Sequence, residues 1–278
     1  MKIVRYAFGG AVAVGVLQAE RVFPVRAASL AQALAASLAG RLEVDRSGAL
    51  PLADVELLAP VEPHNKVLAV ALNYEGHIRE SAQSRPERPI VFLKPFDALV
   101  GSGTAIQKPA VTDKLDYEGE LALVMGRDCY QVAPEDALSY VAGITSFNDM
   151  SARDLLRVKA GNNEMLDWFS SKCLNAITPV GPAVVTLDEI GSRLRDQDIT
   201  VVTRVNGREV QRASIADMIF DVPALVSFLS SRVRLRPGDI IATGTPPGVG
   251  ASTGQFLKAG DTVEVDIAPI PVLRNTIV

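Results

Sequence analysis

Short apolar runs and two-residue alternation dominate this chain, and long helical repeats are few. The opening stretch, KIVRYAFGGAVAVGVLQ, sets two apolar segments around Gly9-Gly10, a turn signal that predicts a β-hairpin. The same stretch has early positive charges like those of a signal peptide. Its apolar run from Ala7 to Leu17 is too short to span a bilayer, and the hairpin is preferred. SLAQALAASLAGRL then predicts a helix over 29–42, with Ser29 as N-cap and Gly40 near its end. The polar stretch EVDRSGALPLADVELLAPVEPHN reads as a connection, which places a boundary near Pro60. Residues 1–60 are thus expected to form a small α+β domain, and residues 61–278 a second, larger one.

The larger part is strand-rich. KVLAVAL (66–72) and PIVFLKP (89–95) are compact apolar runs. ITVVTRVNGREVQ predicts a hairpin turning at Asn206-Gly207, where both residues tolerate positive φ. LRPGDIIATGTPPGVG combines a Pro-Gly turn, a buried strand and a glycine-rich loop, and LKAGDTVEVDI repeats the turn and alternating strand. Helices are predicted over 134–140, 151–159 and 222–233. No alternation of strands with helices runs through the chain, so the fold class is mixed β (α+β), a curled sheet with peripheral helices.

One strand raises a chemical question. In KLDYEGELALVMG (114–126), Asp116, Glu118, Glu120, Ala122 and Val124 share one face, and from Leu121 onward both faces are apolar. A carboxylate buried without a partner costs several kcal/mol or takes up a proton. Glu118 and Glu120 sit about 6.5–7 Å apart along such a strand, close enough to converge on one ion. Asp149, in FNDMSARD, lies just before Ser151, the expected N-cap of the next helix, and is a third carboxylate at an element junction. Three carboxylates without a neighbouring His or Cys describe a hard oxygen site suited to Mg²⁺ or Mn²⁺. Paired glutamates on an alternating strand are also a common solvated face, so spacing alone leaves the site open.

Composition narrows the classes. The net charge of -4 and the lack of a long basic run argue against nucleic acid as partner. Only His64 and His77 are present, which argues against a histidine-rich zinc site. Two cysteines, Cys129 and Cys173, fit a reducing compartment such as the cytoplasm better than a disulfide framework. No segment reads as a membrane span.

Three further stretches carry candidate chemistry. His77 and Glu80 are three apart and would share a helical face, where the carboxylate orients the imidazole as a base; an exposed surface pair has the same spacing. Lys172 follows the aromatic pair in WFSSK, either partly buried or reaching out to solvent. TGTPPGVG matches neither a Walker loop nor a dinucleotide fingerprint; its prolines point to a rigid loop presenting Thr245 and backbone N–H groups to an anion.

In combination these stretches resemble the fumarylacetoacetate hydrolase family. From about Lys66 to Val278 the landmarks LNYEGHIRES, FLKP, DYEGELALVMG, FNDMSARD, WFSSK, VNGREVQ, MIF, LRPGDIIATGTPPGVG and LKAGDTVEVDI follow in order. The resemblance implies a mixed β-roll, a Mg²⁺ or Mn²⁺ ion and a homodimer. It implies Glu118, Glu120 and Asp149 as metal ligands, and His77 with Glu80 as a lid dyad. Lys172 would be the active-site lysine, and Thr245 the threonine of the substrate-carboxylate loop. Arg153 would stand at the site edge, where a structural ion pair is an equal alternative. Asp116 is expected to make local hydrogen bonds. One departure is Leu156, which stands where many relatives have glutamine. KAGNNEMLDWF is expected to shape the same pocket.

The expected function is metal-dependent hydrolysis of a C–C bond in a 2,4-dioxo acid of acylpyruvate type. The alternatives are oxaloacetate-type decarboxylation or 2-hydroxymuconate-type isomerisation in the same pocket, and, more remotely, a metal-binding relative without catalysis.

Overall fold

A computed structural model describes residues 1–278. Its main sheet follows from the runs of apolar residues, because a strand apolar on both sides must be covered on both sides. The central strand Gly119–Met125 is buried throughout and pairs antiparallel with Val141–Asn148 and Ile240–Ala242. Outward on one side lie Val67–Ala71 and the edge strand Ile90–Lys94; on the other lie Thr178–Thr186, Lys2–Phe8, Ala11–Gln18 and Arg21–Pro24.

Alternation along the central strand divides the core. Leu121, Leu123 and Met125 join the cluster that contains Val201, Val265 and Leu273 of a second, five-stranded sheet, with Leu225 and Leu229 of the helix Val222–Ser230. Ala122 and Val124 face the opposite cluster, with Phe147, Val184 and Leu30, Ala33 and Leu34 of the helix Leu30–Leu38. Two sheets and two helices thus enclose one strand, and its N-terminal end carries Glu118 and Glu120. This is the mixed-β architecture expected.

Residues 1–60 hold the expected hairpin, turning at Gly9-Gly10, and the expected helix, whose Ser29 side chain accepts the Gln32 N–H at 3.1 Å. Lys2–Phe8 adds directly to Thr178–Thr186, so this part extends the main sheet. The stretch read as a connection contains order of its own: Glu56–Leu58 pairs with Lys2–Phe8, and Leu50–Pro51 with Arg21–Pro24. Its short apolar pieces were masked by the polar residues between them.

Two sequence expectations fail locally. The strand over 114–126 is broken at Tyr117-Glu118: Leu115–Asp116 leaves the main sheet and pairs with Ser151–Ala152. There is no helix over 151–159 either. Ser151 sends its hydroxyl back to the Asp149 carbonyl at 2.9 Å instead of capping, and Arg153–Leu155 makes one 3₁₀ turn. Arg157–Ala160 then pairs with Asn163–Leu166 around Gly161, a hairpin exposed at every paired position. The remaining hairpin turns as read, with Asn206 and Gly207 both at positive φ. Cys129 and Cys173 are free, and no helix is long and apolar enough to cross a membrane.

Candidate active site

The break in the strand brings the carboxylates together. Backbone at Asn148-Asp149 runs beside it: the Asp149 N–H donates to the Glu118 carbonyl at 2.8 Å, and the Asn148 side chain accepts the Glu118 N–H at 2.9 Å. Between the two glutamates, Gly119 is required by close approach, since a Cβ there would lie 2.0 Å from Thr203 Oγ1. One carboxylate oxygen from each of Glu118, Glu120 and Asp149 falls within 4.8 Å of the others, and all three residues are buried.

Cations surround this cluster unequally. Lys172 Nζ donates to Glu118 Oε2 at 2.5 Å and Asp149 Oδ2 at 2.6 Å, and Lys94 Nζ donates to Asp149 Oδ1 at 2.5 Å. Arg153 donates to Glu118 Oε1 and, at 2.8 Å, to Asp116 Oδ2. Glu120 has only the Gly244 N–H, at 2.8 Å on Oε2. Four buried carboxylates therefore meet three cations, the buried Lys94 and Lys172 and the partly buried Arg153, and the surplus negative charge falls on Glu120.

The titration tendencies follow from this arrangement. Burial would push the Glu118 carboxyl up, but Arg153 and Lys172 outweigh it and hold it down at about 2. At Glu120 burial, Asp149 and Glu118 all act in one direction and raise the carboxyl well above its ordinary value. Burial pulls Lys94 down more than Asp149 restores it, whereas for Lys172 the two carboxylates outweigh burial and raise it. A buried, hard-oxygen cluster with one uncompensated carboxylate fits a divalent cation, with Glu118, Glu120 and Asp149 as the residues that would hold it.

His77 and Glu80 lie on the short helix Glu75–Glu80, with His77 Nδ1 and Glu80 Oε1 2.6 Å apart. The other oxygen of Glu80 accepts the Gly248 N–H at 2.7 Å. The dyad, the three carboxylates, Arg153, Lys172 and Thr245 all line one cleft of about 640 Å³. All eight site residues named from the sequence are therefore brought together. Leu156, Arg157, Leu166 and Trp168 form another part of the wall, with Trp168 stacked on Phe92 at 5.0 Å.

The glycine-rich loop does bind anions, but the anions are the protein's own carboxylates. Gly244 serves Glu120, Gly248 serves Glu80, and Gly250 and Ala251 serve Asp116 at 2.6 and 2.9 Å. The Thr245 hydroxyl donates to the Gly119 carbonyl at 2.9 Å and accepts from Gln211 Nε2 at 2.8 Å. Asp116 reaches well beyond local hydrogen bonds, tying this loop to Arg153.

Sequence reasoning passed over Lys94 and Gln211. A single lysine closing the apolar strand IVFLK was the available signal for Lys94. Gln211, which also accepts the Gly119 N–H at 3.0 Å, sits on an ordinary hairpin strand and gave none.

Comparison with known proteins agrees with this geometry. Residues 66–278 match the family model described as fumarylacetoacetate (FAA) hydrolase C-terminal, and residues 1–60 match one described as Rv2993c-like, N-terminal. Over 231 residues the chain is 38% identical to a Bos taurus protein named oxaloacetate tautomerase FAHD2A, mitochondrial, covering 82% of this chain and 71% of that one. Among solved structures it is similar to a fumarylacetoacetate hydrolase from Exiguobacterium antarcticum, at 34% identity and TM-score 0.83, over 100% of this chain and 99% of that one. It is also similar to a 5-carboxymethyl-2-hydroxymuconate delta-isomerase from Mycobacterium smegmatis, at 33% identity and TM-score 0.81, again over 100% and 99%. Ordered sequence landmarks, a shared fold over the whole chain and a shared family model converge: the chain belongs to the fumarylacetoacetate hydrolase family.

Proposed function

We propose that this protein is an enzyme that moves a proton at the carbon next to the carbonyl of a 2-oxo acid, as a tautomerase or isomerase. The observation that carries this reading is the His77–Glu80 dyad, set in the same cleft as the three-carboxylate cluster. With Glu80 ionised, Nδ1 of His77 donates to it, and Nε2 is left as the acceptor that can take a proton and return it. The Gly248 N–H holds Glu80 in turn, so the base is fixed by a chain of two hydrogen bonds.

A divalent ion held by Glu118, Glu120 and Asp149 would supply Lewis-acid polarisation of the carbonyl group. Lys172 and Arg153 keep Glu118 ionised, and Lys172 adds positive charge where the oxygen of an enolate gathers negative charge. Leu156 contributes an apolar side chain to the wall, with no hydrogen bond to offer a water. That favours proton shuttling over hydrolysis, in keeping with the tautomerase and isomerase names of the relatives cited above.

The second reading is hydrolysis of an acylpyruvate C–C bond, with His77 taking its proton from water. The likeness to a fumarylacetoacetate hydrolase favours it.

Metal-stripped protein resupplied with Mg²⁺ or Mn²⁺ separates the two. Acceleration of enol–keto conversion of oxaloacetate, lost in His77→Ala, is the expected result. Pyruvate and acetate from acetylpyruvate would move the assignment to hydrolysis, and CO₂ from oxaloacetate to decarboxylation. Absence of conversion in every assay would overturn the enzymatic reading.

A further inference from the structure

The cations that line the cleft are not equivalent. Lys172 is engaged by Glu118 and Asp149, and Arg153 by Asp116 and Glu118. Arg157 stands apart. It opens the hairpin Arg157–Ala160/Asn163–Leu166, faces Leu166 across it, and lines the cleft with that residue. Its one ionic partner is Glu164, 2.7 Å from Nη1, on the same hairpin. Both side chains are about half exposed, at 53% and 51%. Ion pairs in such surroundings contribute little, because water competes for both partners. Glu164 is therefore a partner that a carboxylate arriving in the cleft can replace.

We propose that Arg157 is the seat of a second carboxylate on the substrate, and that it makes the enzyme selective for 2-oxo dicarboxylates over 2-oxo monocarboxylates. This rests on the reading above, in which the 2-oxo acid end lies at Glu118, Glu120 and Asp149. Besides these carboxylates and Arg157, the cleft is lined by the apolar side chains of Phe92, Trp168, Leu156 and Leu166. A 2-oxo dicarboxylate brings matching chemistry, a charge at each end and hydrocarbon between them. Its far carboxylate, set against that wall without a cation, would lose water and gain nothing in return. The planar guanidinium supplies two parallel N–H donors that match a carboxylate. Glu164 holds the fork in place until the exchange occurs, so Arg157 does not have to be ordered from solvent.

The test compares ligands that differ only at the far end, on full-length Mn²⁺-loaded protein. Oxaloacetate and its 4-methyl ester are followed by enol–keto conversion. D-malate and D-lactate, as non-reacting probes, are titrated against the fluorescence of Trp168, the single tryptophan of the chain and part of the cleft wall.

In Arg157→Gln the diacid-to-monoester ratio of kcat/KM is expected to fall by about 10- to 100-fold, the range for losing a charge-assisted hydrogen-bonded pair. The loss should appear mainly in KM, and the malate-to-lactate affinity ratio should fall with it. Arg157→Lys should recover part of both. Glu164→Gln breaks the same hairpin ion pair but keeps the guanidinium, so both ratios should be retained or rise.

Ratios unchanged in Arg157→Gln, equal losses in Arg157→Gln and Glu164→Gln, or a wild-type protein without preference for malate would each overturn the assignment. Silent kinetics alongside an intact, Arg157-dependent malate preference would instead overturn the catalytic reading and leave the Arg157 seat standing.

Discussion

Gly248 donates its backbone N–H to Glu80 Oε2 at 2.7 Å and so binds the dyad's carboxylate to the glycine-rich loop. The contact depends on a backbone that only glycine adopts comfortably. Its φ is +106°, and a Cβ there would lie 2.0 Å from the Val210 carbonyl oxygen. Gly248→Ala must shift the loop, and Glu80 loses its anchor. We expect a destabilisation of about 1–3 kcal/mol in urea unfolding, together with a fall in kcat.

His77→Ala removes the proposed proton acceptor and leaves the three carboxylates of the cluster in place. A loss of about 10²- to 10⁴-fold in kcat is expected, the usual contribution of a general base. Mn²⁺ affinity, measured by calorimetric titration, should be held.

Glu120 carries the uncompensated charge, so neutralising it has two opposite effects. Metal-free Glu120→Gln should melt at a higher temperature than metal-free wild type. Wild type at a hundredfold excess of metal over Kd should gain about 2.7 kcal/mol, several degrees in Tm. The variant should lose most of that gain. Thermal unfolding of both proteins with and without Mn²⁺ checks the pair of effects.

Lys94 shows 0% side-chain exposure and is paired with Asp149. Lys94→Met leaves one oxygen of a buried carboxylate without its cation, an event that costs about 3–5 kcal/mol. A divalent ion held by Glu118, Glu120 and Asp149 would supply replacement charge at that carboxylate. The loss in denaturant-derived stability should therefore be larger without Mn²⁺ than with it.

Leu156→Gln adds an amide to the cleft wall, where it can orient a water. The ratio of pyruvate release from acetylpyruvate to enol–keto conversion of oxaloacetate should rise. An unchanged ratio would separate Leu156 from the choice of reaction.

Much of the fold was legible because its signals are local. Gly9-Gly10 and Asn206-Gly207 mark hairpins by chain chemistry alone, and Ser29 caps its helix as a serine at that position should. The carboxylate cluster was legible for a different reason. Burying Glu118 and Glu120 on an apolar strand makes physical sense only with positive charge nearby, and the place of Asp149 just before Ser151 pointed to a third carboxylate.

What failed was decided by distant partners. Asp116 accepts from Arg153, Gly250 and Ala251, and these pull Leu115–Asp116 out of the main sheet. That contact also holds Arg153 in a 3₁₀ turn where a longer helix was expected. Neither consequence can be read from the spacing of apolar residues. Gln211 was invisible for the same reason, since its three partners, Gly119, Thr245 and Pro246, are all more than thirty residues away.

The two walls of the cleft differ in how freely they can change. Residues 243–251 clamp Glu120, Glu80 and Asp116 at once, so an altered backbone there disturbs the carboxylate cluster, the dyad and the loop together. Arg157–Ala160 and Asn163–Leu166 are exposed at every position, and Arg157 and Leu166, paired across the hairpin, line the cleft. A lineage could rewrite that hairpin to welcome a new substrate tail while inheriting the reaction machinery untouched. The cleft is built as a fixed tool with an exchangeable handle.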